Sequence, residues 1–416
     1  MNLTERHLII AGTMLIGTSY GLARFAYGLF LPSMRDDVGL SATMAGIIGS
    51  GAYVGYCIAI VLSAMLVERF GPRQTAVAAA LVAAAGMAAV SVSSHAVWLA
   101  GAILLAGTST GLASPPLAQA VSRSVAAPRQ GRANTVINAG TSLGVAVSGP
   151  VAFLATGQWR IAYAAFAITA LLNALLLLVS MPRSNAADVS ASTSHCDGRP
   201  GGLWRPRVLT LVLAATGMGT ASAAFWTFSS DVILTLGHFD QATANLAWIL
   251  IGIAGLVGGL AGDLIARLGL NTVHRYTLVA MALSLGLLVL GPSSLTTVFL
   301  SAALFGAAYI MLTGVYLVWG IRLYADRPAI GLGLPFLMIA VGQIIGSPLA
   351  GYLISSRGYT FCFIAFSLIA LATALAGHNT TASRTRGTPR CLTTRHQESS
   401  SLSSSHPYQA GSTYRG

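Results

Sequence analysis

The sequence predicts an all-α membrane protein of twelve transmembrane helices, folded as two pseudo-symmetric six-helix bundles. Three observations carry that expectation. Of 416 residues, 55% are hydrophobic and only 8% charged, where soluble domains carry roughly 25%. Apolar runs of about 20 residues, enough to cross a hydrocarbon core of about 30 Å, recur from end to end. The runs also fall into two sets of six that echo each other across one polar segment. A helix satisfies its own backbone in lipid, and these runs lack the alternation of barrel strands.

In chain order, the first span covers about 8–32 and is interrupted by a single charge, Arg24. It is too long for a signal peptide and is read as a retained helix. The second, about 43–66, stops at the turn ERFGPR, and the alanine-rich third, about 75–93, stops at SVSSH. The fourth, about 97–119, contains Pro115 and Pro116, where a bend is expected. The fifth, about 134–156, carries GTSLGVAVSGP, and the sixth, about 161–181, ends at Pro182. Residues 182–206 are rich in Ser, Gly, Pro and Asp and are predicted to be a linker. The later spans are about 208–234, 243–266, 275–291, 295–321, 330–353 and 359–377. Beyond them, residues 378–416 are dominated by Ser, Thr and Arg and are expected to be disordered, as a natural tail or a frame-shifted end. The predicted domains are therefore 1–181, a linker at 182–206, a second bundle at 207–377, and the tail.

All 23 basic residues are arginine. With Met1 in the cytoplasm, nineteen lie in inside segments, Arg35, Arg160 and Arg357 lie outside, and Arg24 lies within the membrane. That bias puts both termini in the cytoplasm, and the protein is expected in the inner membrane. It also explains the net charge of +12 without nucleic acid. Cys57, Cys196, Cys362 and Cys391 are scattered, with no disulfide or metal spacing.

The two sets of spans repeat motifs. GTSYGLARFAYG in the first helix is answered by GTASAAFWTFSS in the seventh, GTSLGVAVSGP by GQIIGSPLAG, and AMLVERFGPR by GLAGDLIARLG. Paired six-helix halves are the build of a secondary transporter with its site between them.

These motifs, with the paired turns at 64–73 and 259–269, resemble the major facilitator superfamily over roughly residues 5–377. The superfamily's signature Gly-x-x-x-Asp-Arg-x-Gly-Arg-Arg is here Ala64, Glu68, Arg69, Gly71 and Arg73, and the second copy keeps Gly259, Asp263, Arg267 and Gly269. The opening LARFAYGLFLP is similar to the YbfB-like bacterial branch. The helix-4 arginine of proton-driven drug exporters is absent, and the Gly149-Pro150 pair lacks the usual following glycines. The resemblance implies rocking of two halves about a central path lined by helices 1, 4, 7 and 10. It also implies latch roles for Glu68 at the start of helix 11 and Asp263 at the start of helix 5, where a helix N-terminus favours a carboxylate. Arg69, Arg73 and Arg267 would add bonds between the halves, or serve only to orient the chain.

On the first helix, at about 100° per residue, Gly17, Gly21 and Gly28 form one flank and Tyr20 and Tyr27 the other, with Arg24 between them. A central arginine facing lipid costs at least about 2.5–3.5 kcal/mol, so the stripe should face protein or a cavity. Of the acids, Asp231 alone lies within a span, and it is expected about 36 Å along its helix while Arg24 lies about 24 Å along its own. Three partners stay open for Arg24: a substrate oxyanion, side chains such as Gln119 or Asn138, or Asp231. The other candidate lining residues are Phe225, Trp226, Tyr309, Tyr316, Thr108 and Ser114.

No histidine falls inside a predicted span, and no Walker loop, catalytic triad or metal spacing is found. No cofactor and no catalysis are expected. The expected function is secondary transport of a small organic, anionic or amphipathic solute by a monomer in the bilayer, exporting, with protons as the coupling ion if one is used. A non-transporting sensor or scaffold on the same frame is the alternative.

Overall fold

The computed structural model describes residues 3–155, 158–181, 205–324 and 328–375. All of the predicted linker except its last two residues, and the whole of 378–416, lie outside the described residues. Among those described, ten continuous helices are long and apolar enough to cross a membrane. They are α1 (Glu5–Val38), Ala42–Ser91, α4 (Ala96–Ser124), α5 (Ala127–Leu154), α6 (Trp159–Ser180), α7 (Val208–Thr235), α8 (Gln241–Leu268), α9 (Leu270–Leu290), α10 (Leu295–Leu323) and Pro328–Leu375.

Two of these run 50 and 48 residues, more than twice a membrane's thickness in helix. Each is broken by one glycine outside helical geometry, Gly71 at φ 81° and Gly358 at φ 82°. The breaks divide them into α2 and α3, and α11 and α12, which gives twelve spans. Gly269, between α8 and α9, has φ 83°. A Cβ is strained there, so glycine marks the reversal in both copies of the helix 2–3 motif.

The repeated motifs are contact surfaces. Gly17 and Gly21 of α1 seat on Gly140 and Gly144 of α5, where a Cβ on Gly21 would come to 2.5 Å from the Gly144 backbone. The same arrangement recurs in the second half. Gly219 of α7 meets the Ile339 carbonyl of α11, and Gly342 of α11 meets the Thr216 carbonyl of α7. Small residues let helix backbones approach where lipid supplies no hydrophobic drive. Surface positions are apolar, with Val179 87% and Leu154 85% exposed, as a lipid-facing surface requires.

The halves meet through two matched pairs, α2 with α11 and α5 with α8. Gly46 lies against the Ser347 carbonyl, Gly351 against that of Ala42, and Gly252 against the backbone of Ala146. These contacts lie toward the face opposite the α2–α3 and α8–α9 turns. At the turns themselves Glu68, Arg69, Asp263 and Arg267 are exposed. The glycine contacts between the halves thus gather toward one face, the closed face, while the four turn residues of the arginine-rich face are exposed.

Candidate functional site

The first helix departs from the regular wheel at its functional stretch. Over Gly17–Phe25, GTSYGLARF, it is a π-helix, the wide i→i+5 form often found at functional sites. The wider turn splits the predicted glycine stripe. Gly17 and Gly21 face α5, but Gly28 faces the Trp226 carbonyl of α7.

Arg24 ends up 6% exposed between the halves. Its Nη2 donates to Oε1 of Gln343 on α11 at 2.8 Å. Its guanidinium carbon lies 4.4 Å from the ring centre of Tyr53 and 5.0 Å from that of Tyr56, both on α2, and 5.2 and 5.6 Å from Phe25 and Tyr20. Ring faces attract a cation, by about 2 kcal/mol or more once water is gone. Nε is buried with no acceptor, and among the described residues no carboxylate pairs with Arg24. Arg24 therefore sits in a cage of rings with its charge uncompensated.

The second half completes the cage. Gln343 Nε2 donates to the Tyr309 hydroxyl at 3.3 Å and to Ser222 Oγ at 3.4 Å, leaving its amide oxygen for Arg24. Trp226 stacks on Phe25 at 4.1 Å and meets Tyr309 edge-on at 5.1 Å. Beside Trp226 runs a narrow seam with room for about one water, lined by Ser142 and Val145 of α5, Ile251 of α8 and Ile310 of α10.

Of the predicted lining residues, Tyr20, Trp226 and Tyr309 join Arg24. Ser114 holds the Tyr20 hydroxyl at 2.9 Å. Tyr27 lies toward the closed face, donating to the Ala45 carbonyl at 2.9 Å. Three others are elsewhere. Phe225 stacks on Phe305 at 3.9 Å in the core of the second half, and Thr108 bonds the Leu105 carbonyl and packs on Gly55. Tyr316 donates to the Ala214 carbonyl and packs on His274. Tyr309 and Tyr316 share a helix face, but seven residues separate them by about 10 Å along the axis. Only one of them reaches the level of Arg24.

Gln119 and Asn138 are not the partners of Arg24, and neither is Asp231. Asp231, 3% exposed, pairs with Arg35 of α1, and Tyr359 of α12 donates to the same carboxylate oxygen at 3.0 Å. Arg35 also donates to the Tyr359 hydroxyl at 2.9 Å. This cluster ties the halves at the closed face. At the other face Arg73 bonds the Leu178 carbonyl of α6, inside its own half rather than across to the other. Glu68 and Asp263 form no ion pair among the described residues. His274, expected outside a span, lies fully buried in α9 because that helix begins at Leu270.

Sequence reasoning missed Gln343, Tyr53, Tyr56 and Arg35. Gln343 stands in GQIIGSPLAG, whose glycines drew notice first. Tyr53 and Tyr56, three apart on α2, are the one periodic signal that could have added that helix to the site.

The sequence matches the family model described as Major Facilitator Superfamily over residues 13–334. The hexuronate transporter of Bacillus subtilis is 24% identical over 84% of this chain and 88% of that protein. The transcription regulatory protein OpdE of Pseudomonas aeruginosa is 25% identical over 83% of this chain and 86% of its own length. In three dimensions, the partially occluded inward open xylose transporter XylE from E. coli superposes with a TM-score of 0.70 at 16% identity, covering 89% of this chain and 98% of that one.

Proposed function

The chain belongs to the Major Facilitator Superfamily, and from that premise we propose that it carries a small organic anion across the inner membrane by alternating access, with Arg24 gripping the anion. The observation that carries this is the buried guanidinium with no carboxylate partner among the described residues. An arginine in so dry a place, held among the described residues by tyrosines, Phe25 and one amide, is matched to an oxyanion brought from outside the protein. The hexuronate transporter among its relatives is named for sugar acids, which agree in charge with such a site. The aromatic floor of Trp226, Phe25 and Tyr309 suits the apolar face of a ring or chain. Both walls of the site come from one chain, so a monomer is sufficient.

With both termini in the cytoplasm, the closed face is the outer one. For an anion moving alone, an inside-negative potential favours export by about 2.3 kcal/mol per charge per 100 mV. If a proton is coupled, it travels on the acid itself or through Asp231, among the described residues the one acid buried between the halves. In proteoliposomes the protein is expected to exchange D-glucuronate and not D-glucose. Equal exchange of both, or of neither and of no other small acid, would remove the anion role. The last of these results would favour a sensor, the reading that the OpdE likeness supports.

The exposed Glu68 and Asp263 are assigned to the opposite state. When the inner face closes, each reaches the N-terminus of a helix in the other half, α11 and α5 respectively. A carboxylate there gains about 0.3–1 kcal/mol, more when buried. Glu68→Ala is therefore expected to shift the protein toward the inward-facing state by about two- to fivefold. Labelling of a cysteine placed at the inner mouth reports this, and unchanged labelling rejects the latch.

A further inference from the structure

We infer that Gln343 is an internal stand-in for the cargo's carboxylate. Its amide oxygen occupies Arg24 while the site is empty and gives way to the cargo's oxygens on binding, which unties α11 from α1. This rests on the anion-binding role proposed for Arg24.

The geometry of the guanidinium is the main support. Nε and Nη2 lie along one edge and point the same way, a fork that takes the two oxygens of a carboxylate. In this protein that edge is half filled. Nη2 is bonded to Gln343 at 2.8 Å, while Nε beside it is buried without an acceptor. The neutral amide oxygen here serves Nη2 alone, whereas the two oxygens of a carboxylate match both donors. Arriving cargo therefore gains a bond that Gln343 does not make, and a charge-assisted one.

The hold on Gln343 is also weak enough to release. Its amide nitrogen is kept by two long bonds, 3.3 Å to the Tyr309 hydroxyl and 3.4 Å to Ser222 Oγ, near the outer limit for such contacts. Both partners are hydroxyls, which can rotate to follow the amide or take another acceptor. Those partners lie on α7 and α10, in the same half as Gln343, whereas Arg24 lies in the other half. Displacing one oxygen thus removes a bond between the halves and leaves the second half intact. Binding and motion share one contact.

The residue type fits this use. A glutamate of the same shape would form a permanent buried ion pair with Arg24 and shut out an acid. An alanine would leave the fork empty and open to any acid. Glutamine holds the arginine in place without neutralising it.

The experiment uses the purified full-length protein and follows tryptophan fluorescence and thermal unfolding during titration with D-glucuronate, D-gluconate and benzoate. D-Glucose is the uncharged control, and wild type is compared with Gln343→Glu, Gln343→Ala and Arg24→Ala. Wild type should bind at least one acid and Arg24→Ala none. Gln343→Glu should weaken that acid by about 100-fold or more while unfolding no earlier than wild type, and Gln343→Ala should bind it about five- to tenfold tighter. These opposite signs distinguish a displaced competitor from a simple spacer, for which both variants would bind worse. If wild type binds and Arg24→Ala does not, yet Gln343→Ala binds no tighter or Gln343→Glu binds normally, the stand-in is refuted and the anion site remains. If no acid binds, or if Arg24→Ala binds as wild type does, the anion site is refuted and the stand-in with it.

Discussion

Arg24→Ala is expected to abolish acid exchange, lowering it by more than about 100-fold, while the protein folds and unfolds near the wild-type temperature. The two halves of that expectation have separate causes. Truncating one partner of a buried, hydrogen-bonded charge pair costs about 2–5 kcal/mol of binding, and here the missing partner is the cargo itself. Folding, by contrast, gains little from Arg24 in the empty state. Its charge is desolvated, its Nε lacks an acceptor, and its firm bond is to one amide. An uncompensated buried charge is a cost to the fold, so removing it is tolerated. Arg24→Lys should not restore exchange, because an ammonium has no planar fork for two oxygens and a shorter reach into the tyrosine cage. Exchange of labelled acid in proteoliposomes, read beside a detergent melting curve, tests both halves. A variant that still exchanges acid at the wild-type rate overturns the role of Arg24, and one that fails to fold shows the arginine to be structural.

The second large effect is expected at the closed face. Asp231→Asn should shift the protein toward the state open on that face by about 10- to 100-fold. Breaking a buried ion pair costs about 3–5 kcal/mol, and Arg35, being partly exposed, recovers some of this from water. The Arg35–Asp231–Tyr359 cluster joins α1 to α7 and α12, so its loss falls on the contact between halves rather than on either bundle. A suitable reporter is Ser347→Cys in a background lacking the four native cysteines. Ser347 is fully buried under the contact of α2 with α11 and faces Thr227 at 3.3 Å. A membrane-impermeant maleimide added from that face should label it faster in the Asp231→Asn protein. Exchanging the two charges, Arg35→Asp with Asp231→Arg, should slow labelling again if the pair itself is the tie. Equal labelling in all three proteins would show that the helix contacts alone hold the face shut.

Much of the fold was legible in the order of residues because lipid leaves few choices. A run of about 20 apolar residues must be a helix, and its length follows from the membrane's thickness. The twelve spans were placed on that ground, with α9 starting earlier than expected and thereby enclosing His274. The repeats were legible as well, since Gly140 and Gly144 of α5 reappear as Gly342 and Gly346 of α11, again packed on the backbone of a neighbouring helix. Arg24 stood out because a charge in an apolar run has to be explained by something.

Its neighbours could not be read in the same way. Helix wheels assume a constant turn, and the π-helix at Gly17–Phe25 breaks that assumption where it matters most. Seven-residue spacing tells that Tyr309 and Tyr316 share a face, but it says nothing of which one meets the level of Arg24. Asp231 was visible as a buried acid, and only the crossing of α1 over α7 gave it Arg35. Sequence alone therefore determined which segments enter the membrane, that they come as two like halves, and that one buried charge needs a partner. The tertiary structure alone decided that Gln343, more than 300 residues away, holds that charge. The physical reason is range: burial and helix length are local properties of a segment, whereas a partner is fixed by how rigid helices cross.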